Sequence, residues 1–237
     1  QLENIAKGYH ENISGRLNIG IIPTLAPFLL PLFIGKMIEK HPGIKLNIRE
    51  LTTAEIIKEL KIDEIDVGIL STPLHEEQIY EDPLFYEEIK IYTQFGHPLS
   101  KMKTVSPELI SNRKDAWMLT NGNCFRNQVI NLCKNQYASH EEAAINYESG
   151  SLETLKKLVE TEGGFTFLPE LAVNELSTRQ LNQVVSFEGQ VPLREISLTY
   201  VRNASKKDMI DILKHCIKEV VPIEMLDKSR GGIVEWR

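Results

Sequence analysis

Cysteine is scarce, with three residues in 237. The number is too small and too odd for a secreted disulfide scaffold, so the chain reads as a protein of a reducing, cytoplasmic compartment. No G-x-G-x-x-G, Walker loop or G-x-S-x-G occurs. Basic runs and arginine-rich arms are missing, and 27 Lys and Arg against 33 Asp and Glu leave a net charge of -6, which opposes direct binding of this piece to a phosphate backbone. The six histidines, His10, His41, His75, His97, His140 and His215, show no ligand-like spacing, and Cys124 and Cys133 lack the close pairing of a structural zinc site. No metal and no cofactor are therefore expected. A signal-peptide layout is missing too, since Glu3 and Lys7 interrupt the start. The uncharged span Leu17 to Gly35 comes nearest to a membrane segment, but Pro23, Pro27 and Pro31 and a change of period after Ile22 fit a buried strand followed by a helix.

What is present is ordinary for a soluble chain: 42% hydrophobic and 25% charged residues, enough for one large domain or two lobes. Leu2, Ile5, Tyr9 and Ile13 recur at helical spacing before Ser14-Gly15, like the tail of a helix belonging to a longer protein. Arg16–Ile22 reads as a strand, Leu25–His41 as a helix, IKLNIREL as a strand, Ala54–Leu60 as a helix capped by Thr52 or Thr53, and Ile65–Leu70 as a buried strand. This βαβαβ order implies a parallel sheet with right-handed crossovers. Leu84–Phe95, Trp117–Leu119, AAINYES, FTFLP and REISLTYVR add strands. Helices are expected after Ser106, at the cysteine segment, over Leu152–Thr161, in PELAVNEL and over Lys206–Val220. Two series of similar size suggest an α/β fold of two lobes, with crossings near Glu87–Tyr92 and Glu195–Arg202. Thr24, Thr53 and Ser149–Ser151 fall at strand carboxyl ends, where open sheets bind ligands. Each is equally a candidate for a plain helix cap.

The stretch Gly122–Cys133, GNCFRNQVINLC, carries the reactive chemistry. Phe125, Val129, Leu132 and Cys133 form an apolar helical stripe, which would hold the two sulfurs on opposite sides, about 13 Å apart along the axis. A disulfide needs Cα atoms within about 7 Å. Either the two thiols are unrelated, Cys133 filling a core position, or they join only when the helix between them melts. Cys124 lies at a helix start, where unpaired amides favour a thiolate, and Arg126 adds a fixed positive charge. A thiolate of that kind can attack a peroxide to give a sulfenic acid, and Cys133 is the nearby thiol able to condense with it. Cys216, among Met209, Ile212, Leu213 and Val220, reads as core.

RLNIGIIPTLAPFLLP, HPLS, WMLTNGNCFRNQVINLC and SLETLKKLVETEGGFTFLPELAV together resemble the effector-binding region of LysR-type transcription regulators, from Ser14 to about Val220. Gly-x-Cys-x-Arg-x-Gln with a second cysteine nine residues on is similar to the peroxide-sensing branch of that family. The resemblance implies two Rossmann-like lobes of the periplasmic-binding-protein type II fold: residues 1–14 ending a linker helix, 15–88 and 198–230 in lobe I, 89–197 in lobe II with the redox switch. A winged helix-turn-helix would lie upstream. It implies Cys124 as the peroxide-reacting thiol, Cys133 as its disulfide partner and Arg126 as the activating cation. Thr24, Thr53, Asn123 and Asn127 would line the effector pocket. Asn123 and Asn127 stand where relatives often carry His and Asp, and Arg49 where they carry His, so two titratable groups are lost and a cation is gained. Arg202 could match a late-strand arginine of the family. The implied partners are hydrogen peroxide, promoter DNA through the upstream domain, further copies in a homodimer or homotetramer, RNA polymerase and a thiol reductant, with no membrane and no enzymatic turnover. The alternatives are a regulator answering to a small molecule held between the lobes, a thiol peroxidase, or a solute-binding protein.

Overall fold

The structure, a computed structural model, describes residues 13–133 and 150–236. The strand-like AAINYES, and with it Ser149, lies outside the described residues. The chain forms two compact units. The first runs to Leu70 and takes in Leu74–Phe85 and Ile196–Leu226; the second comprises Ser71–Pro73, Tyr86–Glu195 and the chain from Asp227.

In the first unit β1 (Gly15–Ile21) pairs in parallel with β2 (Ile44–Glu50) along its whole length, from Gly15 opposite Ile44 to Ile21 opposite Glu50. Its other edge pairs with β3 (Val67–Thr72), and β8 (Pro192–Val201) lies beyond β3. Leu17, Ile19, Ile21 and Ile69 alternate onto buried faces, as a parallel sheet covered on both sides requires. The apolar run expected to fold as a strand and a helix does so. Helix α1 (Ala26–Lys40) starts with a proline in its first turn, stays continuous through Pro31 and buries Phe28, Leu29, Phe33 and Met37. No described helix is long and apolar enough to cross a membrane.

Helix α2 (Thr53–Lys61) decides between the two candidate caps. Thr52, not Thr53, is the cap: its hydroxyl accepts from the Glu55 N–H at 3.3 Å while the Glu55 carboxylate accepts from the Thr52 N–H at 2.8 Å. Gly68 on β3 lets α2 and β8 close in, since a Cβ there would lie 2.5 Å from Ile56 and 2.6 Å from the Thr199 hydroxyl. Helix α8 (Lys207–Lys218) buries Met209, Ile212, Leu213 and Cys216 on one face.

The second unit is built on β4 (Ile79–Thr93), which pairs antiparallel with β6 (Phe165–Pro169) and β7 (Val184–Phe187). β5 (Thr104–Val105) runs parallel to β7, and β9 (Gly232–Ile233) parallel to the start of β8. The helices are α3 (Pro107–Ser111), α4 (Cys124–Cys133), α5 (Leu152–Glu162), α6 (Glu170–Asn174) and α7 (Thr178–Leu181). Ser151 caps α5 by accepting from the Thr154 N–H, and Gly163, at φ 94°, ends it.

Trp117–Leu119 is not the strand its residues suggested. The one isolated bridge falls on the preceding residue, between Ala116 and Phe165, and the segment is pinned by single hydrogen bonds: Trp117 N–H to the Phe165 carbonyl, Thr166 hydroxyl to the Trp117 carbonyl, and the Trp117 indole to the Gly163 carbonyl. Apolar and aromatic residues favour a strand only where a ladder partner continues alongside. β5, α7, β7 and β9 escape a reading by period because each spans two to four residues.

Candidate functional site: the cysteine helix

Asn123, not the cysteine, opens α4. Its side-chain oxygen accepts from the Phe125 N–H at 3.0 Å and its carbonyl from the Asn127 N–H at 3.2 Å. Cys124 is thus the first helical residue, at the positive end of the helix. From there the helix is unbroken to Cys133. All three cysteines are thiols, and Cys124 and Cys133 are only 3% and 2% exposed. Nine residues of continuous helix separate the two by about 13 Å along the axis and half a turn around it. Burial, with the Glu108 carboxylate adding to it, pushes the Cys133 thiol up to about 12. While α4 is intact Cys133 is therefore a protonated, poor nucleophile.

Arg126 points back along the chain, Nη1 donating to the Leu119 carbonyl at 3.1 Å. A cavity of about 10 Å³ sits beside it, lined in part by Trp117, Phe125, Val129 and Leu155. That is the size of one water and too small for a metabolite.

Two features at α4 receive no role from the sequence, although the first is the Gln of the Gly-x-Cys-x-Arg-x-Gln motif. Gln128 lies in the apolar stripe between Phe125 and Val129, fully buried, its Nε2 donating to the Ser71 hydroxyl at 3.2 Å and the Val234 carbonyl at 2.7 Å. Its Oε1 has no hydrogen-bond partner. A polar residue at a stripe position was the available signal. The second is a buried ion pair beneath the helix start. Arg194 and Glu87 are both fully buried, Nε 2.5 Å from Oε2, and the guanidinium lies 5.0 Å from the Phe125 ring centre. Burial raises the Glu87 carboxyl even though Arg194 pulls it down.

Of the remaining expected site residues, Asn127 is half-buried on the first turn of α4. Thr24 and Thr53 belong to the first unit, at the carboxyl ends of the adjacent strands β1 and β2, and both are buried. Thr53 Oγ1 has no hydrogen-bond partner, an unusual state for a buried hydroxyl. Arg49 is not a loose cation: its guanidinium forks onto Glu59 at 2.7 and 2.9 Å. Arg202 is exposed, on a broad surface recess of the first unit with Lys61 and Glu77. Among the described residues no group of three His, Cys, Asp or Glu could hold a metal.

Known proteins resemble this chain in both sequence and fold. It is 29% identical over 199 residues to the hydrogen peroxide-inducible genes activator of Haemophilus influenzae, spanning 84% of this chain and 65% of that protein's length. It is 29% identical over 217 residues to the DNA-binding transcriptional dual regulator OxyR of Escherichia coli, spanning 92% of this chain and 70% of the other. The crystal structure of OxyR from Porphyromonas gingivalis superposes with a TM-score of 0.83 at 30% identity, over 94% of this chain and all of that one. A family model described as the LysR substrate binding domain matches residues 10–221. By that match the chain belongs to the LysR substrate-binding domain family of transcription regulators, a family of regulators and not of enzymes, with the periplasmic-binding-protein-like α/β fold of its relatives.

Proposed function

We propose that this chain is the redox-sensing regulatory domain of a DNA-binding regulator of the peroxide stress response, with α4 as the switch. One observation carries the reading: two buried thiols stand at the two ends of one continuous helix, where they cannot bond without refolding it. The names of the relatives support the choice of peroxide as the oxidant.

The Cys124 thiolate attacks one peroxide oxygen; the O–O bond breaks, the departing hydroxide takes a proton and leaves as water, and Cys124 becomes a sulfenic acid. The sulfur of Cys133 then displaces the sulfenic oxygen, which leaves as a second water. Two thiols lose two electrons and two protons, and one peroxide becomes two waters. The second step waits on the helix. Unravelling α4 frees the Cys133 thiol from the burial that holds it near 12 and returns it toward about 8.5, so partner and nucleophile become available together. Arg126 stabilises the thiolate and the leaving hydroxide, Asn123 holds the helix start in place, and Asn127 contacts the effector; Thr24 and Thr53 keep an effector-binding role on the resemblance alone. The unpartnered Thr53 hydroxyl suits that role.

Melting α4 removes Phe125 and Val129 from the core, about 1.5–3 kcal/mol each. A disulfide whose potential lies about 130 mV below that of its oxidant couple supplies about 6 kcal/mol, which covers the upper end of that cost. For the whole regulator the partners in this reading are promoter DNA, further copies in a dimer or tetramer, RNA polymerase, and the thiol reductant that resets the switch.

Thiol mapping by mass spectrometry after one equivalent of hydrogen peroxide tests it. Cys124 and Cys133 should leave the thiol pool together and Cys216 should stay; retention of both switch thiols would refute the assignment. A second reading, a metabolite-responsive regulator, draws on the same unpartnered Thr53 Oγ1, which would also hydrogen-bond a ligand. Calorimetric binding of a metabolite to a Cys124→Ser/Cys133→Ser variant that keeps its regulatory response would favour it.

A further inference from the structure

The segment from Asp227 to Trp236 is held along both sides. On one side it joins the sheet: β9 pairs with Pro192 and Leu193, the Gly232 N–H donates to the Val191 carbonyl at 2.9 Å, and the Val234 N–H donates to the Leu193 carbonyl at 2.8 Å. On the other side it meets α4. The carbonyls of consecutive residues Val234 and Glu235 accept from Gln128 Nε2 at 2.7 Å and Asn131 Nδ2 at 2.8 Å. Gln128 and Asn131 are three apart, so the helix presents both side chains on one face. The two ends are tied as well, Arg230 Nη2 to both Glu170 oxygens at 2.8 and 2.9 Å and the Trp236 indole to the Pro73 carbonyl at 2.9 Å. All of these residues belong to the second unit.

We infer that residues 232–236 form a latch on the switch helix, seated while α4 is helical and released when Cys124 and Cys133 join. The inference rests on the disulfide reading above. Bringing the two cysteines together breaks the three-residue repeat that places Gln128 and Asn131 under successive carbonyls. Gln128 would be withdrawn from a fully buried position, so its amide cannot stay bonded to Val234 by a small adjustment. What binds one state and not the other biases the equilibrium between them. The seated latch favours the thiol form, and loosening it makes the disulfide easier to form. The oxidant is the peroxide already named, and no further reactant is needed.

Two measurements test this. The first is hydrogen exchange on the unaltered chain, reduced and then oxidised, with the Cys124–Cys133 bond verified by mass spectrometry. The amides of Gly232 and Val234 should exchange at least about tenfold faster in the disulfide form. Unchanged protection there, in a sample that carries the bond, overturns the latch and leaves the switch standing.

The second uses Gly231→Ala. A Cβ at Gly231 would lie 2.1 Å from the Val191 carbonyl oxygen, so the segment must lift, and α4 is not touched. In thiol–disulfide redox buffers the midpoint of this variant should move about tenfold toward the disulfide, about 30 mV for a two-electron couple. A midpoint within about threefold of the parent overturns the latch. If no Cys124–Cys133 bond forms in the parent chain, the disulfide reading itself has failed and the latch falls with it. The exchange experiment needs no variant and decides the question by itself.

Discussion

Arg194→Met should be among the costliest single substitutions in the second unit. Arg194 and Glu87 have no solvent exposure and meet at 2.5 Å, and Glu87 also accepts from the Leu171 N–H at 3.1 Å. Removing the guanidinium strands a carboxylate in the core and takes the cation from the face of Phe125, the second residue of α4. Breaking a buried pair from one side costs about 3–5 kcal/mol. The cost should depend on pH in a definite direction. Burial already raises the Glu87 carboxyl, and without Arg194 it rises further. The folded state then binds a proton more tightly than the unfolded one, so stability is greatest below the unfolded value near 4.3 and is lost as pH climbs toward the raised folded value, by up to about 1.4 kcal/mol per unit. Urea unfolding at pH 8 should therefore show a larger penalty than at pH 5. Glu87→Gln/Arg194→Met should recover much of the loss, because neither partner is then left charged and alone. A penalty under about 1 kcal/mol at pH 8, or one no smaller at pH 5, would refute the argument.

Cys133 titrates by the same logic: its folded value is raised, so its stability contribution is complete below about 8.5 and is lost toward 12 at about 1.4 kcal/mol per unit. The stability of Cys133→Ala should fall less steeply between pH 8.5 and 10 than that of the parent, read from urea midpoints in reductant. Thr53→Val removes a buried hydroxyl that has no partner and should raise stability by about 1 kcal/mol, while slowing the loss of the Cys124 thiol in stopped-flow peroxide titrations. A stability gain with unchanged reactivity would make Thr53 structural. Gly68→Ala must push aside Ile56 and the Thr199 hydroxyl and should cost about 1–3 kcal/mol in thermal or urea unfolding.

Local order was legible in residue spacing. The alternation through Leu17, Ile19 and Ile21, the proline in the first turn of α1, the Ser151 cap and the apolar stripe of α4 each report interactions within a few residues, and the structure keeps each of them. The choice between Thr52 and Thr53 was local, since the Thr-x-x-Glu spacing to Glu55 spells the capping box that the structure closes on the first. The mismatch between helix length and disulfide reach also follows from spacing alone; it left two readings open, unrelated thiols or a pair that joins on refolding, and only the resemblance to peroxide-sensing regulators favoured the second. Other features depend on groups distant in the chain. Trp117–Leu119 has strand-forming residues but no continuing partner. Arg49 looked like a new site cation until Glu59, ten residues on, took its charge. Arg194 and Glu87 are 107 positions apart, and Gln128 meets Val234 across 106. Period and propensity describe neighbours along the chain, whereas a buried charge or amide is tolerated only by the partner the fold delivers, as Glu87 is for Arg194 and Val234 is for Gln128 of the cysteine helix.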